Sequence, residues 1–211
     1  MNKLTLSILS ALFVIFTAAP STAASLSLVG GTSGVSLPGN FSAAPLALTG
    51  LSTGDTVTVF NNSNTNNDGL ALSGTTQVRF EYLGKEAGYT NMAIELHGLG
   101  ILFDTSSTVV GTSKTVTLSP NANGLLPFSF STSGGGAPAS AENGNITNPL
   151  AIAFSAITNN SVIALFGDGA GDHDFDDMAI RISVVPLPPA LLLFGGALFG
   201  LGWISRKRKQ A

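Results

Sequence analysis

Apolar residues recur at two spacings along this chain, and each spacing keeps to its own part of the sequence. Between Ser25 and Val185 they form short runs, several strictly alternating, separated by stretches rich in Gly, Ser, Thr and Asn. In QVRFEYL, Val78, Phe80 and Tyr82 fall on one side while Arg79 and Glu81 fall on the other. In MAIRISV, Ala179, Arg181 and Ser183 oppose Met178, Ile180, Ile182 and Val184. A period of two belongs to a strand with one core face and one wet face. Strands are predicted over 56–60, 77–83, 91–96, 101–103, 114–118, 125–130, 151–156, 162–166 and 178–185. No long 3.6-residue period interrupts them. Eight or nine strands so spaced predict a mainly β body, a β-sandwich of jelly-roll-like or related topology. Loops are expected at 61–69, 119–124 and 131–145. The last is long and lacks an apolar period, which predicts a surface loop or a divider between halves.

The ends carry the second spacing, which is continuous. Lys3 precedes an apolar run over 4–16, and small residues follow from Thr17. That is the three-part pattern of a secretory signal peptide over 1–24, with cleavage expected after Ala23 or Ala24. At the other end, 187–204 is 18 residues without a charge. As a helix it would be about 27 Å long, enough to cross a bilayer core. Arg206, Lys207, Arg208 and Lys209 follow it, a basic cluster that favours the cytoplasmic side and leaves the body outside.

A short Val185-Pro186-Leu187-Pro188, one apolar helix and a terminal basic cluster together resemble the PEP-CTERM sorting signal, in a VPLP-type variant. The resemblance covers 186–211 and implies export by a bacterium with an outer membrane. It further implies transient retention in the inner membrane and processing by an exosortase, a membrane cysteine protease. The chain then divides into a signal peptide (1–24), an extracellular body (25–185) and a sorting segment (186–211).

Removing both ends changes the charge. The whole chain is at −3, but its body holds only Arg79, Lys85, Lys114 and Arg181 against all twelve acidic residues, about −8. So acidic a body without a basic patch is a poor nucleic-acid binder. The chain has no cysteine, which excludes disulfides, cysteine–zinc sites and thiol catalysis.

Five of the acids crowd into ten residues: Asp168, Asp172, Asp174, Asp176 and Asp177. Acids at alternate positions behind a glycine-flexible loop suit calcium, which takes six to eight hard oxygen ligands. The pattern is not an EF-hand, since a strand follows and the closing glutamate is missing. The other readings are a solvated acidic turn and a catalytic group. Five unneutralised carboxylates this close would raise one another's pKa. DHDFDDMAIRISV resembles an Asp-rich element found ahead of the sorting signal in many proteins of that group. FEYLGKEAGYTN (80–91) resembles a segment paired with it in one subset. The pairing suggests that Glu86 or Asn91 approaches the 172–177 loop and adds an oxygen; the plainer alternative makes Glu86 a turn residue.

Catalytic chemistry is sparse. His97 reads as a turn residue, and neither it nor His173 accompanies a nucleophile motif. Glu81, Glu86 and Glu95 are the carboxylates from which a hydrolytic pair would be drawn. The expected function is that of an exported, sorted structural protein of the cell surface or extracellular matrix, associated with exopolysaccharide or biofilm, without catalytic activity. Alternatives are a calcium-dependent carbohydrate-binding module, which needs an exposed aromatic platform, and a secreted polysaccharide hydrolase.

Overall fold

The computed structural model describes residues 23–133, 139–169 and 174–186. Residues 1–22 of the expected signal peptide, Asp172, His173, Leu187, Pro188, the apolar segment to 204 and the basic cluster Arg206–Lys209 lie outside the described residues. Among the described residues no helix is long and apolar enough to cross a membrane.

The body is mainly β, with fourteen strands among the described residues. They are β1 Leu26–Val29, β2 Thr32–Ser36, β3 Thr56–Phe60, β4 Gly69–Leu72, β5 Thr76–Gly84, β6 Asn91–Glu95 and β7 Gly100–Asp104. The second half adds β8 Ser113–Leu118, β9 Phe128–Thr132, β10 Ala139–Glu142, β11 Asn145–Ile146, β12 Ala151–Phe154, β13 Ser161–Gly167 and β14 Met178–Val184. A seven-stranded sheet runs β2-β3-β12-β13-β14-β5-β8, a five-stranded sheet runs β11-β10-β9-β6-β7, and β1 pairs with β4. Every pairing is antiparallel.

All nine predicted strands form, most within a residue or two of the expected bounds. The exception is 125–130, which starts only at Phe128. Pro127 has no N–H to give a ladder, and Leu126 instead donates to Leu70 O at 2.9 Å. Segment 131–145 is neither loop nor divider at its far end, because β10 and β11 arise there and extend the five-stranded sheet. Small side chains hid β10, where Ala141 is the one fully buried residue, and β11 is only two residues long.

One apolar core draws on both large sheets. Four aromatic pairs cross between them, with ring centroids 5.0–6.5 Å apart: Phe80–Phe128, Tyr82–Phe103, Phe128–Phe154 and Phe130–Phe166. Such pairs add about 0.5–1.5 kcal/mol each beyond the area they bury. Asn143, itself buried, serves as a local substitute for a strand. Its side chain accepts from Leu70 N and donates to Leu70 O and Leu126 O, each at 2.8 Å.

The expected wet face of β14 is only half wet. Arg181 and Ser183 are partly exposed, but Ala179 is fully buried. Segment 37–50 lies over that end of the seven-stranded sheet, and Leu37, Phe41 and Leu46 form a second core with Leu83, Ala153, Leu165 and Ala179. At the uncovered end Arg181 pairs with Glu81 at 2.8 Å and donates to Leu48 O at 2.7 Å, on the border of the cover. An ion pair this open contributes at most about 1 kcal/mol. A shallow groove of about 570 Å³ lies on this wet part, lined by residues that include Arg79, Glu81, Arg181 and Pro186.

Burial raises the pKa of the Tyr82 phenol, with the Asp104 carboxylate adding to the effect. The unfolded phenol ionises near pH 10, so stability is intact below that pH and is lost as pH rises beyond it. Tyr82→Phe keeps the stack on Phe103 and should flatten this alkaline loss. Urea midpoints at pH 9, 10 and 11 check it: the wild type should fall more steeply than the variant.

Candidate metal centre

The described acids gather where three segments meet: residues 168–169 and 174–177 between β13 and β14, the 85–90 turn between β5 and β6, and the covering segment 37–50. A register shift in the β14–β5 pairing starts the corner. Ala179 faces Gly84 and Ile180 faces Tyr82, leaving Leu83 as the extra residue. Such a bulge bends and re-aims its strand. Gly84 is required here. Its φ is +135°, and a Cβ would lie 2.4 Å from Pro45 O of the cover.

Beyond the bulge, the Glu86 N–H donates to Asp176 O at 2.8 Å, which ties the turn to the loop. Phe175 has φ +63° and buries its ring in the second core. This plug holds the chain so that Asp174, Asp176 and Asp177 are all nearly buried, at 7%, 1% and 7% exposure.

Two of the carboxylates hold the cover. Asp174 Oδ2 accepts from Asn40 Nδ2 at 3.0 Å, and Asp176 Oδ2 accepts from Ser42 N at 2.5 Å. Asn91 opens β6 in the other sheet and is fully buried. Its Nδ2 donates to Asp168 Oδ2 at 2.9 Å and to Asp177 O at 3.2 Å. Asp177 Oδ2 accepts from Asp168 N at 2.6 Å, closing the loop on itself. The amide of Asn91 therefore links the five-stranded sheet to a loop of the seven-stranded one.

Asp172 lies outside the described residues, and the four described aspartates divide between two sets of contacts. Asp176 and Asp177 come together with Glu86, their ligand oxygens all within 4.8 Å of one another. Asp168 is committed to Asn91 and Asp174 to Asn40, both outside that grouping. Of the two residues expected to bring an oxygen to the loop, Glu86 does so, whereas Asn91 meets the loop as a donor through Nδ2. Asn40 and Ser42 were not foreseen, and an ordinary PGNFS turn gives no signal for them.

Glu81 and Glu95 have separate duties on different sheets. Glu81 pairs with Arg181, while Glu95, 3% exposed, accepts from His97 N at 2.5 Å and Leu99 N at 2.7 Å. His97 is exposed in the β6–β7 turn, as expected. Tyr82 belongs to the core, whereas Tyr89 is exposed.

No protein-family model matches this chain, and no curated protein matches it.

Asn91 is needed as a donor, since both of its partners are oxygens. Asn91→Ala should cost about 2–3 kcal/mol through lost packing and unsatisfied buried oxygens. Asn91→Asp should cost more at pH 7, because it turns a carboxylate towards Asp168. Lowering the pH to about 4.5 should bring the two variants together in urea denaturation, as protonation restores a donor.

Proposed function

We propose that this is an exported, non-catalytic structural protein of the cell surface or extracellular matrix, trimmed at its N-terminus by signal peptidase and at its C-terminus by an exosortase. It is held at the inner membrane during sorting and then takes its place outside, in association with exopolysaccharide. On this reading the two large sheets are the halves of a β-sandwich, jelly-roll-like or related, that serves as a rigid extracellular body.

The observation that carries the reading is how body and sorting segment join. Strand β14 runs from the acid corner to Val184, and Val185 N still donates to Gln77 O at 2.9 Å. Pro186 comes next and cannot continue a ladder. The sheet therefore lets go of the chain at the first residues of the VPLP motif, and Pro186 is exposed there. The glutamates also support a role without catalysis, because Glu81 and Glu95 are each spent on a separate structural bond.

In cells that contain an exosortase, the surface form should begin at Ala24 or Ser25 and lack Arg206–Ala211. N-terminal sequencing and intact mass measure both ends. A mature protein that keeps Met1, or one that keeps its whole C-terminus, would remove the sorting reading.

A further inference from the structure

We propose that Glu86, Asp176 and Asp177 form a calcium site that fastens the 85–90 turn to the loop before β14. The inference goes beyond sorting and stands whether or not the chain is processed.

Two independent observations carry it. The first is geometric. Calcium binds oxygens at 2.3–2.6 Å, so ligands on opposite sides of one ion are about 5 Å apart at most. The ligand oxygens of Glu86, Asp176 and Asp177 all lie within 4.8 Å of one another, inside that limit. The second is a missing partner. Asp176 is 1% exposed, and its Oδ2 is taken by Ser42 N. Its Oδ1 is buried without any hydrogen-bond partner. A carboxylate oxygen removed from water and left unbonded is costly, and a cation at this point removes the cost. Asn91 Oδ1 is a further buried oxygen without a hydrogen-bond partner, on the residue that bonds Asp177 O.

The chemistry favours calcium over magnesium. Three carboxylates from two separate segments, one of them exposed, make an irregular and partly open set of ligands. Calcium accepts six to eight oxygens in flexible geometry and fills its remaining positions with water, whereas magnesium demands a near-ideal octahedron at 2.0–2.1 Å. Extracellular sites of this kind bind at about 0.1–1 mM.

The test uses the full chain in a mild detergent, stripped with EGTA and titrated with calcium chloride in a calorimeter, with melting followed in parallel. Binding to the folded state alone must raise the melting temperature by mass action. The expected result is one equivalent of calcium and an upward melting shift at 10 mM. Magnesium, or sodium chloride at matched ionic strength, should give much less. Glu86→Gln should weaken binding at least tenfold with an unchanged far-UV spectrum, since its side chain is exposed and its backbone bond to Asp176 is kept. Glu142→Gln, the same charge change on β10, should bind as the wild type does. No heat and no calcium-specific shift up to 10 mM would overturn the proposal and leave a solvated acidic turn. Full binding by Glu86→Gln, with loss in Asp174→Asn, would overturn it by moving the ion to the other aspartates.

Discussion

A carboxylate taken out of water must be given hydrogen-bond donors or a cation, and one corner of this body is arranged around that demand. Three aspartates are almost wholly buried within four residues. Two of them are answered by donors from the distant covering segment, Asp174 by Asn40 and Asp176 by Ser42, and Asp177 accepts from Asp168 N. The carboxylates thus act as collectors. They draw the cover down onto the sheet, and this is what lets Leu37, Phe41 and Leu46 close a second core over Ala179.

The same corner also relates the two sheets. Aromatic pairs fill the space between them with apolar contacts, which are strong but not directional. Asn91 adds direction, because its amide has to meet Asp168 Oδ2 and Asp177 O at once while its own N–H meets Thr105 Oγ1 at 2.9 Å. The apolar core sets how far apart the sheets lie, and the polar corner fixes their alignment at that end.

Much of this was legible from residue order. Alternation in QVRFEYL and MAIRISV marked β5 and β14 and their inward faces, because a period of two survives whatever a strand packs against. The proximity of Glu86 and Asn91 to the aspartates was legible as a pairing of segments. Which aspartates group together was not, because a register shift at Leu83 and a positive φ at Phe175 decide it, and neither is written in composition. The covering segment was equally hidden. Its apolar residues show no period, so nothing indicated that the outer face at Ala179 and Leu83 would be dry. Strand β10 was missed because alanine and serine alternate there without bulk, and β11 because two residues, Asn145 and Ile146, are too few to show a period.

The place where the chain leaves the body has a mechanical consequence. Strand β14 is not an edge strand: β13 and β5 flank it, and six residue pairs register it on each side. Tension applied beyond Pro186 runs along β14 and loads both ladders in shear, so that many hydrogen bonds must fail together. An edge strand would peel away one bond at a time. A body pulled through this strand would resist with its whole sheet, and the acid corner at the start of β14 would be the far anchor of that load path.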